Sequence, residues 1–191
     1  IALLAGSRKQ EIKDNLPDML RAASAFPEYQ LVLAGAPGIS PDYYHEYIGG
    51  AKVKILFGQT YRLLQQAEAA LVTSGTATLE TALFRVPQAV CYHTPIGKVI
   101  SFLRRHILTV KYISLVNLTA NREVVKELVA DTMTVEQARA ELERILYNKE
   151  YRQRMLEGYE YMASRLGDAG APKHAAQEMI RLLHLHYCSG S

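Results

Sequence analysis

Between Thr73 and Glu80 the chain reads "TSGTATLE", with the apolar run "AEAALV" before it and the helical stretch "TALFRVP" after it. A helix N-terminus presents unsatisfied backbone N–H groups and the positive end of the helix dipole, so a junction of this kind can hold a phosphate. Ser74, Gly75 and Thr76 fall at that junction. Gly75 lets the backbone approach an anion closely, and the hydroxyls of Ser74, Thr76 and Thr78 can cap the helix or donate to phosphate oxygens. Glu80 lies four residues past Thr76, on the same helix face about one turn deeper. A carboxylate there can accept from two vicinal hydroxyls, as on a ribose. The plainer alternative is that Thr76 only caps the helix and Glu80 is solvated.

A second stretch, "AGSRKQEI", poses the same question at the first apolar run. Ser7 can cap the following helix, and Arg8 would project from the strand end, where its planar fork can hold a phosphate bidentately. The plainer reading is a surface arginine beside a capping box from Ser7 to Gln10. A third stretch, Ile96 to Lys111, sets an apolar stripe (Ile96, Ile100, Leu103, Ile107) beside Lys98, Arg104, Arg105 and His106. It reads either as core packing with a basic outer face or as a membrane-surface patch. The six histidines form no HxxxH or HExxH pattern, and His184 and His186, two apart near the tail, are a weak signal. No metal is assigned.

Elements that can position these groups follow from the hydrophobic pattern. Ile1 to Gly6, Tyr29 to Gly35, Lys52 to Gly58, Ala69 to Gly75 and Pro87 to Tyr92 are strand-length runs, apolar on both faces, as parallel strands covered on both sides require. Helices are expected between them over Gln10 to Ala25, with Pro17 opening a new turn or a kink, and over Pro41 to Tyr47, Tyr61 to Ala67 and Thr76 to Phe84. This alternation predicts a Rossmann-like, doubly wound α/β domain over residues 1–133, with ligands bound beyond the carboxyl ends of the strands. Both "AGSR" and "TSGTATLE" lie at such ends. Residues 134–191 change character: Thr134 to Tyr147, Glu150 to Arg165 and Pro172 to Tyr187 read as helices. In the first of these, Val135, Ala138, Leu142, Ile145 and Leu146 mark a packed face. These helices are expected to pack on the domain, on an amino-terminal domain outside the chain, or on a partner subunit.

Composition narrows the class. A chain of 191 residues, 49% hydrophobic and 21% charged, can bury one sizeable core. A formal charge of +3 is too mild to argue for nucleic acid. Cys91 and Cys188 show neither disulfide nor zinc spacing, so reduced thiols and a cytoplasmic setting are the expectation. No run reaches transmembrane length, and the first residues lack a basic n-region and cleavage site. A start at Ile1, directly in an apolar run, is what a chain beginning inside a longer polypeptide would show.

"LLAGSRKQEI", "VTSGTATLETAL" and "YISLVNLTANREVVKELV", with the spacing between them, resemble the carboxyl-terminal half of lipid-A-disaccharide synthases. The resemblance covers nearly the whole chain. It implies a GT-B glycosyltransferase that moves 2,3-diacylglucosamine from its UDP derivative to 2,3-diacylglucosamine 1-phosphate, with inversion, giving a β(1→6) disaccharide and UDP. This chain would be the donor-binding half. Glu80 would then hold the ribose hydroxyls, and Ser74 to Thr76 the diphosphate or the base. Arg8 would neutralise the leaving diphosphate with no cofactor or metal needed, and backbone around Phe57 to Gln59 would read the uracil edge. Asn117, Arg122 and Glu123 match the family's "LxN…RE" stretch and would line the donor or sugar side of the cleft. Arg8, Asn117 and Glu123 would support catalysis, with the general base supplied by an amino-terminal domain absent from this sequence.

The resemblance also implies a peripheral place on the cytoplasmic face of the inner membrane of a Gram-negative bacterium, with Ile96 to Lys111 as a contact, and allows a homodimer through the carboxyl-terminal helices. Val116 and Lys126 stand where the family usually has proline, which changes local rigidity but removes no assigned polar group. Other readings are another UDP-sugar GT-B enzyme, such as the N-acetylglucosaminyltransferase of peptidoglycan precursors or a UDP-N-acetylglucosamine 2-epimerase, and a non-catalytic nucleotide-binding or dimerisation domain.

Overall fold

A computed structural model of the chain describes residues 1–73, 75–93 and 111–167. Six strands form one sheet: β1 (Ala2–Leu4), β2 (Leu31–Gly35), β3 (Val53–Phe57), β4 (Ala70–Thr73), β5 (Gln88–Tyr92) and β6 (Lys126–Val129). Every pairing is parallel, and the order is β3-β2-β1-β4-β5-β6. This is the doubly wound order, whose direction of winding reverses between β1 and β4 and opens a crevice at their carboxyl ends. The first five strands coincide with the apolar runs of the sequence, trimmed at their ends. β6 does not announce itself, because it is four residues long and opens with Lys126 and Glu127.

Helices α1 (Lys9–Ala23), α2 (Pro41–Ile48), α3 (Thr60–Leu64) and α4 (Thr76–Leu83) connect the first five strands. α1 continues through Pro17 as one helix. A mid-helix proline forfeits one backbone hydrogen bond and crowds the preceding turn, but Ile12, Leu16, Met19, Leu20 and Ala23 form a continuous buried stripe that holds the helix on the sheet. α5 (Leu115–Ala120) precedes β6, and α6 (Val135–Tyr147) and α7 (Lys149–Arg165) follow it.

Strand alternation divides the core in two. Leu3, Leu33 and Leu71 face α1 and α6, while Ala2, Leu4, Ala70 and Val72 meet Leu63 and Leu64 of α3 on the other side. On α6, Ala138, Leu142 and Ile145 are buried, and on α7 Met155, Tyr159 and Met162 are, all within the core of the same sheet. Burying a large apolar side chain of this kind contributes about 1.5–3 kcal/mol, so these two helices use their apolar faces within the chain. Polar ties reinforce the seam. Tyr159 donates its hydroxyl to Val86 O at 3.1 Å, and Arg152 reaches the Glu68 carbonyl at 2.7 Å and its carboxylate at 2.8 Å. Cys91 is a free, wholly buried thiol whose pKa burial pushes up. Ser74, residues 96–110 of the basic stretch, and the expected helix over Pro172 to Tyr187 with His184, His186 and Cys188 lie outside the described residues.

Candidate functional site

Where the winding reverses, the turns leaving β1 and β4 face one another across a cleft of about 330 Å3. Its walls bring together Gly6, Ser7, Arg8 and Glu11 from the first turn, Ala36 and Pro37 after β2, and Thr73, Gly75, Thr76, Ala77 and Glu80 around the start of α4. Ser7, Arg8, Gly75, Thr76 and Glu80 all line this one cleft. Thr76 and Glu80 share one face, as their spacing of four predicts.

The two turns differ in electrostatics. At α1 the helix positive end is already occupied: the Glu11 carboxylate accepts from the backbone N–H of Ser7 at 2.9 Å and of Arg8 at 3.3 Å. The capping box expected from Ser7 to Gln10 is thus replaced by Glu11 reaching back one residue further along, and Gln10 instead donates to Asp14. Gly6 makes this possible. Its φ of +108° is a conformation that L side chains rarely adopt, and a Cβ there would lie 2.5 Å from Glu11 Oε2.

At α4 the N-cap is Gly75, with a φ of +144°, no side-chain cap and no acidic residue in the first turn. A Cβ at Gly75 would meet nothing within 4 Å, so the backbone there is bare toward open space. Thr76 is the first helical residue rather than the cap. The start of α4 is therefore the end of the two that attracts an anion. Arg8 stands opposite, its side chain 82% exposed and tied only loosely to Glu11 at 3.4 Å. The carboxylate of Glu80 accepts from the Tyr61 hydroxyl at 3.4 Å, and Tyr61 stacks obliquely on Phe84 with ring centroids 5.2 Å apart.

Other expected site residues lie elsewhere. Thr78 is buried and its hydroxyl donates to Gly75 O at 2.8 Å, bracing the turn from behind. Phe57 ends β3 and packs edge-on against Tyr44, with centroids 5.9 Å apart, while Gln59 lines a separate groove beside α3.

Asn117 is fully buried with its amide spent. Nδ2 donates to Val125 O at 2.8 Å and Glu127 Oε1 at 2.9 Å, and Oδ1 accepts from the N–H groups of Val124 at 2.7 Å and Val125 at 3.0 Å. Arg122 and Glu123 precede β6, so they sit at the amino end of the parallel sheet, opposite the cleft. With Lys126, Arg144 and Arg154 they line a second cavity of about 540 Å3. The structure does not bring Asn117, Arg122 or Glu123 to the cleft: Arg122 and Glu123 lie just before a parallel strand, at the far end of the sheet from residues just after one, and the Asn117 side chain is bonded to that same segment.

Residues that the sequence reading left out also shape the cleft. Gly6 and Glu11 build the first turn, Thr60 lines the wall beyond β3, and Thr73 lines it at the end of β4. Glu11 was legible as a carboxylate in a helix's first turn. Thr73 was legible only as the first letter of "TSGTATLE".

Comparison with known proteins adds independent findings. The model of the family described as lipid-A-disaccharide synthetase matches residues 1–179. The chain is 36% identical over 189 residues to the lipid-A-disaccharide synthase of Myxococcus xanthus, covering 96% of this chain and 49% of the relative. It is 37% identical over 194 residues to that of Gloeothece citriformis, covering 94% and 48%. The chain thus spans about half the length of the curated relatives it matches. Among solved structures, CalG4, the calicheamicin glycosyltransferase, superposes with a TM-score of 0.55 at 21% identity, over 96% of this chain and 41% of that one. That likeness concerns the fold: a Rossmann-like half of a GT-B architecture.

Proposed function

This chain belongs to the lipid-A-disaccharide synthase family, and we propose that it is the donor-binding half of such an enzyme, with a UDP-sugar in the cleft between Arg8 and the start of α4. The observation that carries the reading is the meeting of Arg8, Gly75, Thr76 and Glu80 in one cleft at the winding reversal. In this reading the diphosphate lies at the bare start of α4. Arg8 closes over the diphosphate from the opposite wall, Glu80 accepts from the two ribose hydroxyls, and backbone around Phe57 to Gln59 meets the uracil edge.

The reaction is displacement at the donor's anomeric carbon. The 6-hydroxyl of 2,3-diacylglucosamine 1-phosphate forms the new C–O bond from the face opposite UDP, the bond from that carbon to the diphosphate breaks, and the hydroxyl proton passes to a base on the acceptor side. Negative charge grows on the diphosphate as that bond breaks. The Arg8 guanidinium and the helix-end N–H groups stabilise it most when it is fully developed, and so lower the barrier rather than only binding the donor. Arg8 is the catalytic group this chain supplies. Asn117 orders the segment before β6, and Arg122 and Glu123 support that segment from the second cavity.

Donor and acceptor both carry acyl chains, which supports a place on the cytoplasmic face of the inner membrane. No helix among the described residues is long and apolar enough to cross a membrane. A homodimer through the carboxyl-terminal helices would use the outer faces of α6 and α7, where Tyr147 and Tyr161 are exposed. Calorimetric titration with UDP and ADP tests the reading. A UDP-sugar site prefers UDP, with a Kd of tens to hundreds of micromolar, roughly 5–6 kcal/mol; equal affinity for ADP, or no binding at millimolar UDP, contradicts it.

A further inference from the structure

The cleft contains a polar group that the chain itself leaves without a partner. Thr73 is the last residue of β4, lines the cleft and is only 2% exposed, and its buried hydroxyl has no hydrogen-bond partner. Buried hydroxyls are nearly always satisfied, because burying one without a partner costs free energy that an apolar side chain of the same shape avoids. Two other buried side-chain atoms among the described residues share this condition, Gln88 Oε1 and His93 Nδ1, and neither residue lines the cleft.

Packing does not explain a threonine here. The strand runs Ala70, Leu71, Val72, Thr73, and valine has the same branched shape and suits a parallel strand equally well. Direction gives the reason. Side chains alternate along a strand, so Thr73 faces the same side as Leu71, the side covered by α1. At the carboxyl end of the sheet that side holds the turn of Gly6, Ser7 and Arg8, while the chain beyond Thr73 leads into the bare N-terminus of α4. Thr73 thus lies between the two elements that meet the diphosphate in this reading.

We propose that Thr73 is a diphosphate-binding residue whose Oγ1–H donates to a phosphoryl oxygen of the nucleoside diphosphate. The inference rests on the reading of the cleft as a nucleoside-diphosphate site and adds to it a donor that is already in place and already dehydrated. Such a group weakens the empty protein and strengthens the complex, a combination that a packing residue does not produce.

The test uses the full 191-residue chain as wild type, Thr73→Val and Thr73→Ser, titrated with UDP, ADP and uridine and melted without ligand. Thr73→Val should raise the Kd for UDP about tenfold or more, as loss of a hydrogen bond to a charged group does, leave the Kd for uridine unchanged, and raise the melting temperature of the ligand-free chain. Thr73→Ser should bind UDP within about threefold of wild type, since it keeps the donor. Unchanged UDP affinity in Thr73→Val, with wild type still preferring UDP to ADP, overturns this proposal and leaves the donor-site reading intact. An affinity loss shared equally by uridine also overturns it, because it marks a general disturbance of the cleft. A wild type that shows no preference for UDP overturns both.

Discussion

The backbone N–H of Ser7 donates to the carboxylate of Glu11 at 2.9 Å, so the turn that carries Arg8 is tied to the first turn of α1 by a charge inside the protein. That turn is therefore built before any ligand arrives, and the anion-attracting helix end is left to α4 alone.

Glu11→Ala should lower stability by about 1–2 kcal/mol, the usual cost of losing an N-terminal cap, and should weaken UDP binding by loosening Arg8. Urea denaturation and UDP titration check the two effects. Gly6→Ala should be worse than Glu11→Ala, because it sets a Cβ 2.5 Å from Glu11 Oε2 on a backbone at φ +108°. The double variant should be less destabilised than the two single effects added together, since both disturb the same cap and Glu11→Ala removes the carboxylate part of the clash, although the Cβ of residue 11 at 2.6 Å stays.

Arg8 and Glu80 should fail in different ways. Arg8→Ala should weaken UDP about tenfold or more while leaving uridine untouched, since a charge-assisted contact to phosphate is lost. Glu80→Ala should erase any preference for UDP over 2′-deoxy-UDP, since the carboxylate is assigned to the ribose hydroxyls. Competition titrations with these ligands separate the two roles.

Asn117→Ala should cost about 2–4 kcal/mol, because it strands the N–H groups of Val124 and Val125 and the carbonyl of Val125 in the interior. The folded fraction should still bind UDP close to the wild-type Kd. Denaturant unfolding combined with titration at low temperature distinguishes this structural role from a ligand contact, for which affinity would fall instead.

Much of this was legible in the sequence, and what escaped has physical causes. β1, β4 and β5 declare themselves because strands buried on both faces must be apolar, β2 and the edge strand β3 because their runs are still mostly apolar, and "GSR" and "SGTATLE" because they close β1 and β4. β6 escapes because its first two residues are charged and because the Glu127 carboxylate is spent on the Ile113 and Ser114 N–H groups at 3.0 and 2.9 Å, an interaction with no periodicity. With β6 unseen, nothing in the chain indicates that Arg122 and Glu123 lie at the opposite end of the sheet from Arg8. At Pro17 local propensity argues against helix, and the packing of Leu16, Met19 and Leu20 keeps α1 one continuous element.

Alkaline pH should unfold the chain cooperatively. The hydrogen bond to Glu28 raises the Tyr147 pKa from 10.0 to about 12. Tyr159 and Tyr151 are also pushed up, both chiefly by burial and Tyr151 further by its bond to Glu141. The unfolded chain releases these protons near pH 10 while the folded chain holds them, so their contribution is fully present below about pH 10 and is lost as pH rises through about 12. Ultraviolet titration of tyrosinate beside circular dichroism checks this: late-titrating tyrosines should ionise together with loss of structure.

The central claim is that the nucleotide occupies the cleft at the winding reversal and not the larger cavity lined by Arg122, Arg144 and Arg154. Amide chemical-shift mapping by NMR during titration with UDP tests it most directly. The account predicts the largest shifts at Gly6 to Arg8, Thr73 and Gly75 to Ala77, with Val124 to Lys126 and Arg154 to Gly158 unmoved. Shifts concentrated on Val124 to Lys126 and Arg154 to Gly158, with the first set unmoved, would contradict it.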